Sequence, residues 1–145
     1  VQYFSNIYQV IGDLVTSINA LEYAETVSRA AAAAVMPELR ERIHERGEKP
    51  DGSPIGTYSE KYEALREKKY NRTEGNKVVL SLTSNLEQSY TLAAQDNGYT
   101  IGVLGDLNAN KIEWLTERYG NVWELSQREQ DMAKIAAEET ARKLL

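Results

Sequence analysis

The chain contains no cysteine and a single histidine, His44. The first absence excludes disulfides, thiolate metal sites and a cysteine nucleophile. The second excludes a His-rich zinc site within one chain. With one imidazole and no G-x-S-x-G turn, a nucleophilic serine lacks both base and elbow. No apolar run approaches the ~20 residues of a membrane span, and residues 6–35 are too polar and charged for a secretory signal. The expectation is a soluble protein that stays where it is made. Basic patches are also missing. Net charge is −5 with 17 Lys and Arg against 22 Asp and Glu, spread so that no segment is strongly basic. A protein that grips phosphates by charge needs such a segment, so nucleic acid is disfavoured as the main ligand.

What is present is an ordinary globular composition in a chain of 145 residues, long enough for one core and short for two. The expectation is a single domain over 1–145, helical over 1–46 and mixed over 47–145. The aromatic set is skewed: nine Tyr and two Trp against one Phe. Tyr and Trp join a flat apolar body to a polar tip and are enriched at interfaces.

Phe4, Ile7, Tyr8, Ile11, Leu14, Val15 and Ile18 recur at helical spacing, predicting a helix from Phe4 to Leu21 that breaks near Asn19. A second helix runs from about Leu21 through the alanine run 30–34. Pro37 either kinks it or opens a new helix, and Gly47 closes it. Residues 47–57, GEKPDGSPIGT, read as a loop, with Ile55 alone in it and directed to the core. Thr57 or Ser59 caps a charged helix, Thr57 with Glu60 at capping-box spacing. Tyr58, Tyr62 and Leu65 share one face of it, and Arg66, Lys68 and Lys69 lie near its end.

The period then changes. Lys77–Leu82 reads as a strand and 83–88 as a short helical turn. Tyr90, Leu92 and Ala94 alternate up to Asp96-Asn97-Gly98, a strong hairpin signal, and Tyr99, Ile101 and Val103 return. Asn110 with Glu113 resembles a cap for a helix over Lys111–Tyr119 that Gly120 ends. Trp123 and Leu125 follow in extended chain. Ser126 with Glu129 forms a second capping box for a last helix with Met132, Ile135, Ala136 and Leu144 facing inward. The order helices, small antiparallel sheet with a hairpin, C-terminal helix predicts an α+β fold.

No constellation carries chemistry. Glu60, Glu63 and Glu67 read as a solvated face, and His44, between Arg42 and Arg46, as a surface residue. DGSPIG lacks the Lys-Ser/Thr of a phosphate loop, and Asp51, Ser53 and Asp106 do not match a calcium loop. The expectation is no enzyme, no cofactor and no metal. Trp114, Tyr119 and Trp123, with Tyr58 and Tyr62, are the candidate contact residues for a neighbouring subunit; filling the chain's own core is the equal alternative for the three within 114–123.

Four patterns occur in order: Gly52-x-Pro54 leading to Tyr58-Ser59; Leu82-Thr83-x-x-Leu86-x-x-Ser89; a hairpin ending in Ile101-Gly102; and a helix ending in Tyr119-Gly120. Over roughly residues 38–145 the chain resembles the neck and tail-completion (virion morphogenesis) proteins of tailed bacteriophages. It departs from their pattern at Ser84, where they usually carry glycine, which bears on the local turn. The resemblance implies a virion structural subunit of the head-to-tail connector, made in the bacterial host cytoplasm. Its partners would be copies of itself in a six- or twelve-fold ring, the portal, and tail or other neck proteins. Genome DNA would at most pass through the lumen, and no membrane is involved. The alternative is an intracellular helical adaptor or regulatory binding protein.

Overall fold

A computed structural model describes residues 2–3, 5–12, 21–95 and 98–144. The elements are β1 (Gln2–Tyr3), α1 (Ile7–Val10), α2 (Leu21–Glu41), α3 (Glu60–Tyr70), α4 (Asn85–Gln88), β2 (Tyr90–Gln95), β3 (Gly98–Val103), α5 (Asp106–Tyr119) and α6 (Gln127–Leu144). The fold is α+β, as the order of periodicities predicts.

The core is a helix pair laid against a three-stranded antiparallel sheet of order β1-β3-β2. α2 packs along α6 and across β3. The helices meet through small and branched side chains: Val27, Ala31 and Val35 are fully buried on α2, and Ala133, Ala137 and Ala141 repeat every fourth residue on the buried face of α6. Small residues at that spacing let two backbones approach closely. Ile135, expected inside, is 56% exposed. It lies two positions from Ala133 and Ala137, on the far side of a 3.6-residue turn.

The hairpin forms with register Gln95↔Gly98 and Leu92↔Ile101. The Asp96-Asn97 turn itself lies outside the described residues. β3 is the central strand, and Thr100, Ile101, Gly102 and Val103 are all buried. Alternation of residue type therefore marks the strand while both of its faces are covered.

Three N-terminal and middle expectations change. The predicted helix from Phe4 starts later: β1 precedes it and pairs with Val103 and Gly102, Ser5 and Asn6 are not helical, and α1 begins at Ile7, with Ile7 and Ile11 buried. Phe4 and the stretch 13–20, with Leu14, Val15, Ile18 and Asn19, lie outside the described residues. Pro37 does not open a new helix: α2 runs through it. Its side chain is exposed while Val35 and Leu39 are fully buried, so burial of the stripe outweighs the missing hydrogen bond. Residues 77–82 are not a strand. Lys77 makes one bridge to Thr57, after which Val78, Val79, Leu80 and Ser81 are all buried and Leu80 turns to φ 47°. A left-handed residue in mid-run ends the extended chain, and beyond the single Lys77 bridge no ladder forms over 78–82.

The end of α2 is unusual. Arg42–Arg46 widen into a π-turn, closed by Gly47 at φ 66°, ψ 42°. The wide turn brings three consecutive residues, Arg42, Ile43 and His44, inside. A Cβ on Gly47 would sit 2.3 Å from the Val78 carbonyl oxygen, so both the left-handed backbone and the close approach require glycine there. Ile55 is buried, and its N–H donates to the Gly47 carbonyl at 2.9 Å.

Candidate interaction cleft

A cleft of about 580 Å³ opens between α3, α5 and the 80–87 segment. Each wall has a local cause. Ser59 caps α3, accepting from the Tyr62 N–H at 3.2 Å; the Thr57–Glu60 box does not form. Its position is held by Arg66, a residue expected on the solvated face but only 2% exposed. Arg66 Nη2 donates to the Ser81 carbonyl at 2.6 Å and to the Glu74 carboxylate. Its guanidinium lies 4.5 Å from the Tyr58 ring centroid and 5.9 Å from that of Tyr62. The two rings pack 5.1 Å apart. Arg66 buries its charge because a carboxylate, a carbonyl and two π-faces receive it. Burial raises the Tyr58 phenol above its ordinary value, keeping it neutral.

The opposite wall is α5. It starts at Asp106, one turn earlier than Asn110-Glu113 predicts, after Gly105 at φ 87°. Ile112 is buried, Leu115 and Tyr119 pack partly against the core, and Trp114 is 59% exposed. Lys111, Trp114, Arg118 and Tyr119 all border the cleft. Gly120 ends the helix at φ 82°.

The floor contains α4, the expected short turn. Its cap, Ser84, stands at φ 65°, ψ 10°. This is the left-handed conformation that glycine adopts freely and an L-residue adopts at a cost of about 1–2 kcal/mol. The departure from the phage pattern thus changes the residue and keeps a backbone that suits glycine.

The five candidate contact residues divide. Tyr58, Tyr62, Trp114 and Tyr119 come together around the cleft. Trp123 does not: it is 3% exposed and its indole N–H donates to the Tyr90 hydroxyl at 2.9 Å. The reason is its place on the turn between α5 and α6, which folds against the π-turn of α2. Lys111 and Arg118 complete the cleft and were not singled out by sequence. A helix begun at Asp106 would have placed them on Trp114's face at spacings of three and four.

Beneath the cleft lies a polar cluster the sequence reading placed on the surface. His44 is 3% exposed. The Leu80 carbonyl can only accept, so His44 Nδ1–H donates to it at 3.1 Å. In the neutral ring Nε2 is then the acceptor and takes the Tyr90 O–H at 2.5 Å, while the Tyr90 oxygen accepts from the Trp123 indole. Burial lowers the His44 pKa, opposed by the Glu87 carboxylate 4.0 Å away. Burial also raises the Tyr90 phenol. Alongside, Arg42 pairs with the fully buried Glu129 through Nε–Oε2 at 2.7 Å and Nη2–Oε1 at 3.2 Å. It also donates to the carbonyls of Glu48, Val122 and Glu124. Glu129 closes the expected capping box with Ser126, with both bonds made at 3.0 and 3.2 Å.

Among the described residues, no cluster of His, Cys, Asp or Glu has the geometry to hold a metal, and no helix is long and apolar enough to cross a membrane. No protein-family model, curated protein or solved structure matches the chain.

Proposed function

We propose that the chain is a structural subunit of the head-to-tail connector of a tailed bacteriophage, a neck, tail-completion or terminator ring between portal and tail. The observation that carries this reading is convergence. Tyr58, Ser59, Leu82, Thr83, Leu86 and Tyr119, drawn from three separate motifs of the resemblance, line one cleft. Motifs that serve only to shape local turns have no reason to meet there. The left-handed backbone at Ser84 supports the same reading.

The chemistry of the cleft suits protein contact. It offers Trp, Tyr and Arg, the side chains that dominate binding energy at interfaces, and it holds no nucleophile–base pair. Among the buried polar groups, His44, Arg42, Glu129 and Arg66 bond to carbonyls, carboxylates, a phenol or each other, as structural groups do. The reading is tested by peptide mass spectrometry on purified, DNA-filled particles. Detection at a fixed ratio of six or twelve to one tail is expected. Particles that lack the chain would exclude the assignment and favour an adaptor.

A further inference from the structure

The two edges of the sheet are finished differently. The Leu104 N–H donates to the Ser89 carbonyl at 2.9 Å, and Ser89 and Leu104 continue the register of Tyr90↔Val103. They are therefore a hydrogen-bonded pair, and such pairs alternate along an antiparallel ladder. Thr91, Ala93 and Gln95 bond to β3, while Leu92 and Ala94 turn their N–H and C=O to the outer edge. On the far side of β3 the outward groups are taken. The Tyr99 N–H donates to Ser28 Oγ at 2.8 Å and the Ile101 N–H to Ser5 Oγ at 3.4 Å, and β1 pairs with Gly102 and Val103. Among the described residues, nothing takes the outward groups of Leu92 and Ala94. Ala94 is exposed, and Thr91, Leu92 and Gln95 are partly so.

Open edges are blunted by shortness, Lys, Pro or a bulge. β1 is two residues long. β2 has six residues, YTLAAQ, with no charge, no Pro and an unbroken register. We propose that this edge is the contact of a two-fold dimer, in which β2 of one copy pairs antiparallel with β2 of a second and the two sheets become one.

The strand's own sequence selects a second copy. With the two-fold axis at Ala93, Leu92 of each copy stands opposite Ala94 of the other. Each Leu92 N–H then meets an Ala94 carbonyl, and each Ala94 N–H a Leu92 carbonyl, so every free group in the pair finds a partner. On one face Leu92 lies against Ala94, large against small. On the other, Thr91 lies against Gln95, polar against polar, and Ala93 against Ala93 leaves the axis uncrowded. The chain is at −5, yet Ser89 to Gln95 carry no charge, so the strands meet without like charges opposed. The contact is isologous and closes on a pair. It goes beyond the connector reading, and the cleft takes no part in it.

The test is sedimentation and native mass measurement on the full chain over a range of concentrations. Wild type is expected to pass from monomer to dimer. Ala94→Pro removes an outward N–H that β3 does not use, a change edge strands tolerate, and should weaken association roughly tenfold or more. Circular dichroism checks that it folds; if it does not, Ala94→Lys, which keeps the N–H and blunts the edge by charge, replaces it with the same expectation. Trp114→Ala should dimerise like wild type. Cross-linking reads the register, because the chain has no cysteine of its own. Thr91 and Gln95 would form a non-hydrogen-bonded pair with Cα atoms about 4.5 Å apart, within disulfide reach. An equal mixture of Thr91→Cys and Gln95→Cys chains should therefore cross-link on oxidation far more than either alone. A wild-type chain that is monomeric at its highest soluble concentration overturns the proposal and leaves the edge to a foreign strand. So does an edge variant that dimerises like wild type, a dimer lost with Trp114→Ala, or a mixture that cross-links no more than its components. The connector reading stands or falls separately, on whether particles contain the chain.

Discussion

The two halves of this molecule treat polar and apolar side chains in opposite ways. Around the end of α2, charged and polar groups go inside: Arg42, His44 and Glu129 are each at most 3% exposed, and each has named partners. Around the α3–α5 cleft, apolar groups stay outside: Trp114, Leu107 and Leu65 are about half exposed or more. Burying a charge is tolerable only when it is paired and hydrogen-bonded, so the first half is specified by its partners. An exposed Trp beside Arg gains little for a monomer, and the proposed contact with a neighbouring subunit would account for it. Arg66 joins the two regimes. It is a buried charge whose partners, Tyr58, Tyr62 and the Ser81 carbonyl, are the cleft's own wall and floor.

Substitutions separate the halves. Arg42→Ala leaves the Glu129 carboxylate buried without its guanidinium. A loss of about 3–5 kcal/mol is expected in denaturant unfolding, and a loss under 1 kcal/mol would dissolve the distinction. Tyr90→Phe removes the link between Trp123 and His44 and should cost about 1–3 kcal/mol. The same cluster predicts a pH response. His44 has a folded pKa below its unfolded value, so the unfolded chain binds the proton first. Stability should be full above about pH 6.5, fall as pH drops through that value, and level off below the folded pKa. His44→Gln should flatten this part of the profile in denaturant titrations at several pH values. Ser84→Gly relieves a left-handed residue on the cleft floor and should raise stability by about 1 kcal/mol, less the entropy glycine loses on folding. Trp114→Ala should change monomer stability by no more than about 0.5 kcal/mol while blocking incorporation into particles. Should the monomer unfold instead, the cleft is core and the comparison fails.

Where sequence and structure agree, local chemistry is enough. The Ser126–Glu129 box, the left-handed Gly47, the hairpin pairing and the small turn at 85–88 each depend on residues within a few positions of one another. Where they differ, a distant group decides. His44 and Arg66 sit among charges in the sequence, and both are drawn inside by partners far along the chain: Tyr90 and Leu80 for the one, Ser81 and Glu74 for the other. Val78 to Ser81 alternate like a strand and are instead packed from several sides. Four of the five candidate contact residues share a cleft because α3 and α5 face each other, which no pattern within either helix states. Trp123 leaves the group because its indole has a phenol to donate to inside.

The central claim is that the aromatic cleft is a contact surface of an assembled connector. Imaging of intact particles at a resolution that traces this chain tests it most directly. The account predicts a closed ring at the head–tail junction, with Trp114 and Arg118 covered by a neighbouring subunit. A chain traced in the particle with that cleft open to solvent, or a junction built without this chain, would contradict it.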